Sequence, residues 1–318
     1  MSPIKVAFLG PEGTYTHQAV IQQFGTDITA LPQKTIGDCF EAINNHDVNY
    51  AIVPFENSTN GQVVFTYDLL RDWYLSPTTS SSPPPSFKIV GEQYVSIHHN
   101  FLTNAKSIDD ITTIYSHPQV WTQVTKFLAG IKKNIVKIDV GSTSKAAEMV
   151  SQDKTNSTAA ISSKMSAVLY GLPMMHESIE DNVTNTTRFL VLGYDYPPSP
   201  PPPSKEDNPD QIDQEEGTMI TSLMFTIDNE SNPGSLCDVL LKFKTHGINL
   251  TSITSRPAGN LNQPWTYVFF VELLGPLKNE DKVWVDELGI QGSKVVVLGS
   301  FKRSWRYEAS LRKPTIRE

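Results

Sequence analysis

The sequence predicts an α/β protein of two domains, and three observations support this prediction. The chain has 318 residues, about the length of two average domains. Short apolar strands alternate with helical segments over residues 1–195, as in a largely parallel sheet covered by helices. Residues 218–302 follow the order βαββαβ, which is that of a ferredoxin-like unit. The segment 196–217 separates the two domains, and residues 303–318 are left as a C-terminal tail.

The individual elements follow from apolar runs and their periodicity. In the first domain, strands are predicted at 4–9, 50–55, 94–97, 113–115, 135–140 and 159–161, with helices at 16–24, 35–44, 118–128, 144–152 and 162–170. In the second domain, strands are predicted at 221–227, 248–255, 266–274 and 294–299, with helices at 233–246 and 281–288. Pro233 and Gly247 flank the first of these two helices, where each residue type is favoured.

Two segments of low complexity are predicted to be disordered, because they hold too little apolar surface to offset the entropy of ordering. Residues 76–86 read SPTTSSSPPPS and interrupt the first domain as a surface insertion. Residues 196–217 begin Pro-rich and end acidic, and they form the linker between the domains. Within this linker, residues 205–216 hold six acids and one lysine, so −5 of the net charge of −8 lies there.

Bulk properties exclude several classes of protein. A net charge of −8 argues against nucleic-acid binding, which needs a basic surface. No apolar run approaches the ~20 residues of a membrane span. The N-terminus has neither the basic and apolar regions of a secretory signal nor the composition of a transit peptide. Two distant cysteines predict free thiols, as in a reducing compartment, and hence a cytoplasmic protein.

Two loops between a strand and a helix could bind an anion. The first is G-P-E-G-T-Y at 10–15, and the second is G-S-T-S at 141–144. Backbone N–H groups at a helix N-terminus favour negative charge, and such loops lie at the carboxyl ends of strands, where open α/β sheets bind ligands. The alternative is that Thr or Ser merely caps the helix. Two such loops favour a small ligand with two anionic ends.

Other polar groups follow strands in the same way. Glu56 and Asn57 come directly after the strand at 50–55, where the alternative is a solvated turn. His117 and Gln119 follow the strand at 113–115, where a histidine is more often a cap. Arg188 precedes an apolar run and could clamp a carboxylate with its two-pronged guanidinium, or lie on the surface. The pair at 98–99 lacks further ligands at metal-binding spacing, so no metal is expected.

Six motifs occur in one order along the first domain. They are G-P-x-G-T-Y at 10–15, P-x-E-N-S at 54–58, S-H-P-Q at 116–119, S-T-x-x-A-A at 142–147, Y-G-L at 170–172 and N-x-T-R-F at 185–189. In this order and spacing they resemble the prephenate dehydratase family, over residues 4–193. The resemblance continues over residues 220–300, which are similar to the regulatory ACT domain of that family. The two low-complexity segments are not typical of the compact bacterial enzymes of this family and resemble insertions.

The resemblance implies a type II periplasmic-binding-like catalytic part, in which two α/β lobes flank a cleft. The chain would cross twice, giving one lobe at 1–93 with 184–195 and a second at 94–183. The catalytic residues carried over from the family motifs are Thr187, Glu56, Asn57 and Gln119. The residues expected to contact substrate are Thr14, Ser142, Thr143, Arg188 and Phe189.

The implied reaction is the conversion of prephenate to phenylpyruvate, a lyase reaction in phenylalanine biosynthesis. Prephenate would lose carbon dioxide and its ring hydroxyl, and aromatisation would drive the step without a cofactor. A departing hydroxide needs a hydrogen-bond or proton donor. Thr187 could polarise the leaving group, and Glu56, if protonated in a closed cleft, is the alternative donor. The residues alone do not decide between them.

The resemblance also implies feedback inhibition by phenylalanine bound to the ACT domain between subunits, in a homodimer or homotetramer. The corresponding segments are imperfect here: G-S-L-C at 234–237 and T-S-R-P at 254–257. Thr254 stands where the family motif has a glutamate. The effector-binding residues expected from these segments are Gly234, Ser235, Leu236, Cys237, Ser255, Arg256 and Pro257.

Three rival interpretations share these features. Arogenate dehydratase has the same fold and chemistry, with an amine on the substrate side chain. A non-catalytic amino-acid-binding or anion-binding protein would share the cleft fold but would not need Glu56, Asn57, Gln119 and Thr187 together. A purely regulatory ACT protein would not need the long first domain. Turnover separates the enzymes from the last two interpretations, and substrate competition separates prephenate from arogenate.

Overall fold

The computed structural model describes residues 3–75, 84–201, 218–227, 233–259, 265–277 and 294–311. Most of the two segments predicted to be disordered, and the predicted helix at 281–288, lie outside these residues. The described strands form three sheets, two in the first domain and one in the C-terminal domain. Helices and strands alternate through the first domain, which confirms the mixed α/β class.

The first lobe is built on a mixed sheet. Its strands are β1 (Lys5–Leu9), β2 (Thr29–Gln33), β3 (Tyr50–Asn57), β5 (Lys88–Ser96) and β11 (Thr186–Gly193), in the order β2-β1-β3-β11-β5. The short β4 (Gly61–Gln62) pairs with the end of β3. β1 is parallel to β2 and β3, whereas β11 is antiparallel to both of its neighbours. The end of β3 and the start of β11 therefore meet at one edge.

Three helices cover this sheet. They are α1 (Tyr15–Phe24), α2 (Ile36–Asn44) and α3 (Val64–Leu75). The α1 side chains Ala19 and Val20 pack with Phe189 and Val191 on one face, whereas α2 and α3 pack with Leu190 on the other. Successive residues of β11 thus face different cores, as the period of two in a strand requires. Neither α3 nor β2 was predicted from the sequence.

The second lobe holds a five-stranded sheet. Its strands are β6 (Asn100–Leu102), β7 (Thr113–Ser116), β8 (Val136–Asp139), β9 (Thr158–Ser162) and β10 (Met174–His176), in the order β10-β6-β9-β7-β8. Its helices are α4 (Thr125–Gly130), α5 (Thr143–Gln152) and α6 (Lys164–Tyr170). The helix predicted at 118–128 is divided into a 3-10 turn at Pro118–Gln123 and the short α4.

The chain crosses between the lobes twice, between β5 and β6 and between β10 and β11. The boundary predicted after residue 93 is wrong by a few residues, because β5 pairs with β11 as far as Ser96. Glu180 ties the two crossovers together. Its carboxylate accepts a hydrogen bond from the His99 amide at 2.9 Å and lies 2.7 Å from Nδ1 of His98.

The C-terminal domain contains an antiparallel sheet of four described strands. Its elements are β12 (Met219–Thr226), α7 (Ser235–Thr245), β13 (Leu250–Pro257), β14 (Tyr267–Leu274), β15 (Val295–Lys302) and α8 (Arg306–Leu311). The strand order is β13-β14-β12-β15. These are the four strands and the first helix of the predicted βαββαβ unit. The helix α8 lies in the segment expected to be only a tail.

The two domains share one hydrophobic core. One face of the C-terminal sheet packs on α7, through residues such as Phe225 and Phe243. The other face packs on the first lobe, where Phe270 meets the ring of Tyr67 edge-on at 5.1 Å between centroids. The C-terminal sheet therefore covers the face of the first lobe on which Leu190 and Arg188 lie.

Gly299 lies where β15 closely approaches the backbone of β5, and its substitution gives a testable prediction. A Cβ atom at this position would lie 2.0 Å from the backbone oxygen of Ile89, which a side-chain movement cannot relieve. Gly299→Ala is therefore expected to destabilise the protein by about 1–3 kcal/mol through overpacking, measured as a lower denaturation midpoint. Gly130→Ala is the control, since a Cβ there has open space. Equal midpoints for the two variants would contradict this close approach.

Candidate active site

Predicted motifs from both lobes meet at the carboxyl ends of the parallel strands. In the first lobe, the loops after β1 and β3 lie at the same edge as the start of β11. In the second lobe, β7, β8 and β9 are parallel, so the loops that follow them lie together. This arrangement brings five of the six motifs to the region between the lobes. The exception is Y-G-L, which ends α6.

Asn57 and Thr187 form the centre of this region. They are register partners on β3 and β11, and Asn57 Nδ2 donates a hydrogen bond to Thr187 Oγ1 at 2.9 Å. The Asn57 amide is oriented by its own oxygen, which accepts hydrogen bonds from the Thr59 and Asn60 amides at 3.0 and 2.9 Å. Because Thr187 Oγ1 accepts from Asn57, its own hydrogen is left to donate elsewhere.

A chain of hydrogen bonds continues from this pair into the second lobe. Asn185 Oδ1 accepts from Asn57 Nδ2 at 2.8 Å, and Asn185 Nδ2 donates to Gln123 Oε1 at 3.1 Å. The same Gln123 oxygen lies 2.7 Å from Nε2 of His99. Gln123 and His99 were not among the predicted site residues. The signal that could have found Gln123 is its spacing, since it lies four residues after Gln119 in a segment predicted to be helical.

His99 holds the far end of this network. Burial is the largest influence on its ring and lowers its pKa, so His99 is neutral at pH 7. Its Nε2 then carries the hydrogen and donates to Gln123 Oε1, while Nδ1 lies 3.2 Å from the Tyr15 hydroxyl, whose own hydrogen is donated to the backbone oxygen of His98 at 2.7 Å. With its oxygen occupied twice, the Gln123 amide presents its nitrogen, which makes no hydrogen bond within the described residues.

Serine hydroxyls of the second lobe hold the loop at 10–15. Ser163 and Ser166 both donate to the backbone oxygen of Gly13, at 3.0 and 2.9 Å, and Ser144 donates to the backbone oxygen of Glu12. A Cβ atom at Gly13 would lie 2.7 Å from the Ser144 hydroxyl, so glycine permits this approach. The lobes therefore touch directly beside the candidate site.

The hydroxyls of the two predicted anion-binding loops act as helix caps. Thr14 caps α1 by accepting from the His17 amide at 3.3 Å, and Ser142 caps α5 by accepting from the Lys145 amide at 3.0 Å. Thr143 is the first residue of α5 and is buried, and its backbone oxygen accepts from Ser162. Capping leaves the first N–H groups of each helix as candidate anion donors.

The structure corrects the roles predicted for Arg188 and Phe189. Arg188 is 7% exposed and lies on the face of β11 opposite to Thr187. Its guanidinium donates to Glu92 at 2.7 Å and to both oxygens of Glu272 at 2.8 and 2.7 Å, so it is not a substrate clamp. Phe189 faces the same side as Thr187, but it is buried in the core of the first lobe among the α1 side chains.

Glu56 is also on the wrong side of the sheet for its predicted role. It is the register partner of Arg188, whereas its neighbour Asn57 is the partner of Thr187. Burial, and after it the charge of Glu56, raise the pKa of the Tyr67 hydroxyl, whose ring packs on Phe270 of the C-terminal domain. Glu56 therefore lies towards the C-terminal domain. This position argues against Glu56 as a direct proton donor to a ligand beside Thr187.

The two glutamines of the 3-10 turn at Pro118–Gln123 differ, and this difference gives a prediction. Gln119 is exposed on the 3-10 turn, and its side chain makes no hydrogen bond within the described part of the chain. Gln123→Ala is expected to lower kcat/KM at least about tenfold, because it removes a free donor and two oriented hydrogen bonds. Gln119→Ala is expected to change kcat/KM less than about twofold. Steady-state assays that show the reverse order would restore Gln119 to the site.

The predicted effector residues lie on α7 and β13. Gly234 precedes α7 in a left-handed conformation, with φ of 98°, and Cys237 is exposed on that helix. Ser255 and Pro257 lie on the exposed face of β13. Arg256 faces the other way, and its guanidinium donates twice to the Asp68 carboxylate of α3, at 3.0 Å each. Arg256 therefore joins the two domains.

Two further observations concern the remainder of the described chain. A cavity of about 330 Å³ lies at the opposite ends of β3 and β11, lined by His46, Tyr50 and Tyr194 among others, and it includes none of the predicted site residues. Among the described residues, no helix is both long and apolar enough to span a membrane.

This geometry defines a class of protein: an α/β protein of two lobes, with a polar site at their junction and a C-terminal domain behind it. The family model described as prephenate dehydratase matches residues 6–196. The chain is 35% identical to a probable prephenate dehydratase of Saccharomyces cerevisiae, over 96% of this chain and 98% of the relative. It is 34% identical to a bifunctional chorismate mutase/prephenate dehydratase of Pseudomonas aeruginosa, over 95% of this chain and 74% of the relative.

Solved structures share the fold of this chain. A prephenate dehydratase from Arthrobacter aurescens in complex with L-Phe has a TM-score of 0.73 and 25% identity, over 94% of this chain and 90% of that one. A structure described as a novel type of quorum-quenching acylase has a TM-score of 0.72 and 25% identity, over 95% of this chain and 99% of that one. The chain belongs to the prephenate dehydratase family and is a dehydratase of the lyase class.

Proposed function

We propose that the protein converts prephenate to phenylpyruvate, with Thr187 as the residue that assists the leaving hydroxyl. The observation that carries this proposal is the hydrogen bond from Asn57 to Thr187 Oγ1, because it leaves the Thr187 hydrogen to donate. The electron pair of the breaking carbon–carboxylate bond enters the ring, carbon dioxide leaves, and the ring hydroxyl departs as hydroxide. A donor aimed at that oxygen stabilises charge that develops only in the transition state.

An alcohol is too weak an acid to transfer its proton fully at neutral pH, so Thr187 acts by polarisation. Glu56 was the alternative acid, and its register with Arg188 argues against that role. The two carboxylates of prephenate are proposed to meet the N-termini of α1 and α5, behind Thr14 and Ser142. Both helices have 10 residues and both N-termini face the junction of the lobes.

The test is the formation of phenylpyruvate from prephenate by the purified full chain, followed by its absorbance in alkali. Turnover supports the proposal, and arogenate offered in competition identifies which of the two substrates is preferred. A folded protein that converts neither substrate would contradict the proposal and would favour a binding protein.

An acylase activity, as described for one structural relative, finds no support in the surroundings of the Thr187 hydroxyl. Amide hydrolysis needs a nucleophile activated by an adjacent base. Within the described residues, the hydrogen-bond partner of the Thr187 hydroxyl is Asn57, which donates and cannot take a proton. An N-acyl amide should therefore remain intact when it is incubated with enzyme that is active on prephenate.

The C-terminal domain is proposed to be an ACT domain that binds phenylalanine and inhibits the enzyme. The strand order of its sheet and the L-Phe complex of the Arthrobacter relative support this proposal. A homodimer or homotetramer is proposed with it, in the cytoplasm, where the two free cysteines would stay reduced. Calorimetric titration with phenylalanine tests the binding. The absence of heat, together with unchanged kcat at saturating phenylalanine, would contradict the sensing role.

A further inference from the structure

The strand β11 presents two adjacent polar residues near its start to different parts of the molecule. Thr187 faces the junction of the lobes, where it pairs with Asn57. Arg188, the next residue, faces the C-terminal domain. The pairing of β11 with β3 shifts register directly after Arg188. Two sets of contacts therefore hold the backbone at Thr187. The first is its regular pairing with Asn57 on β3, and the second is the set of contacts made by the side chain of the next residue, Arg188.

Two buried carboxylates fix Arg188, and they come from different domains. Glu92 of β5 accepts from Nε at 2.7 Å, and Glu272 of β14 accepts from Nη1 and Nη2 at 2.8 and 2.7 Å. Side chains of all three residues are at most 8% exposed. Burial opposes the charge of Arg188, but the two carboxylates raise its pKa well above the usual value, so it stays a cation.

The C-terminal domain also holds the second carboxylate. The other oxygen of Glu92 accepts a hydrogen bond from the Ser304 amide at 3.1 Å and lies 3.8 Å from Nε of Arg303. Both residues follow β15. The position of Arg188 thus depends on groups of both domains, and a two-pronged pair such as Arg188 with Glu272 has little geometric freedom.

We propose that Glu272 is a positioning residue for the dehydratase reaction, acting through Arg188 to hold β11 so that the Thr187 hydroxyl meets the leaving group. This inference rests on the proposed function. A catalytic donor displaced by about 1 Å loses much of its effect, so the placement of one strand controls the rate. Glu272 touches neither Thr187 nor the junction of the lobes.

The same contact couples the site to the rest of the C-terminal sheet. Glu272 is the register partner of Ser252 on β13, the strand that continues to Ser255 and Arg256. Only the pairing of β13 with β14 and the ion pair of Glu272 therefore separate β13 from Arg188. On this inference, an event on that strand would reach Thr187 through Glu272 and Arg188.

The test compares two carboxylate variants of the full chain, Glu272→Gln and Asp68→Asn. Asp68 is the matched control, because it also binds an arginine across the same domain interface, but its pair with Arg256 joins α3 to β13 and does not involve β11. The readouts are kcat and KM for prephenate and the denaturation midpoint of each variant. Glu272→Asp, which keeps the charge, is the conservative variant for rescue and the substitute if Glu272→Gln does not fold.

Glu272→Gln is expected to lower kcat about tenfold, which is ~1.4 kcal/mol of transition-state stabilisation, while KM changes less than about twofold. The loss falls on kcat because the Thr187 hydrogen bond strengthens only as the hydroxyl departs. Glu272→Asp is expected to recover part of the rate, and Asp68→Asn to keep kcat within about twofold of the wild type.

Wild-type kcat in folded Glu272→Gln, alongside an active wild type, would overturn the inference and leave the proposed function intact. Equal losses of kcat in Glu272→Gln and Asp68→Asn would also overturn it, because they would indicate general weakening of the interface. A folded wild type without turnover of prephenate or arogenate would instead overturn the proposed function, and this inference with it.

Discussion

Thr187→Ala is expected to lower kcat for prephenate by about 10²–10³-fold, the usual cost of removing one donor that stabilises developing charge. The methyl group of alanine can neither accept from Asn57 nor donate to the departing hydroxyl. Thr187 is half-buried at the start of β11, and removing its hydroxyl leaves the core of the first lobe unchanged. The measurement is the rate of phenylpyruvate formation at saturating prephenate, with circular dichroism to show that the variant is folded.

Two further variants test whether the loss of kcat depends on the Thr187 hydroxyl and on the face of the sheet where it lies. Thr187→Ser keeps a hydroxyl on Cβ and is expected to retain kcat within about tenfold of the wild type. Glu56→Gln changes a residue beside Asn57 that lies on the opposite face, and it is expected to keep most of the activity. A loss in Glu56→Gln as deep as that in Thr187→Ala would make Glu56 the acid after all.

Arg188→Met is expected to be among the most destabilising single substitutions in the protein. It removes the cation between Glu92 and Glu272 and leaves two buried carboxylates without their partner. Breaking a buried ion pair from one side costs about 3–5 kcal/mol, because the remaining charge is neither solvated nor paired. The measurement is the free energy of unfolding from chemical denaturation at pH 7.

The matched control is Arg256→Met, at the second arginine that joins the domains. Its pair with Asp68 is partly exposed, with side chains at 23% and 26%, and exposed pairs contribute less than about 1 kcal/mol. Similar losses of stability in the two variants would show that burial does not distinguish these pairs. A stable Arg188→Met would show that the two carboxylates can find other partners.

The sequence predicted β1, β3 and the loops of the site because these depend on local patterns, whereas β11 was not among the predicted strands. The strand at 50–55 is a continuous apolar run, and capping of α1 and α5 by Thr and Ser was the alternative weighed for the two loops at 10–15 and 141–144. The helix α3 was missed, since its mixed sequence, V-F-T-Y-D-L-L-R-D-W-Y-L, packs on both the first lobe and the C-terminal domain. Its apolar residues therefore do not form a single stripe.

The motifs identified the right segments but not the right side chains. T-R-F and E-N were each carried over as a block, although neighbours in a strand face opposite sides of a sheet. The strand period alone would have separated Thr187 from Arg188 and Asn57 from Glu56. It could not have shown which member of each pair faces the cleft, because that depends on where the second lobe and the C-terminal domain pack.

The sequence by itself determined the family, the class of fold and the segments that form the site, because apolar periodicity and the order of motifs are local properties of the chain. Only the tertiary structure decided that Gln123 joins the network, that Glu56 faces away from it, and that Arg188 binds Glu272. Each of these depends on contacts between residues far apart in the sequence, across lobes or across domains. Such contacts follow from how the sheets pack, which no local pattern records.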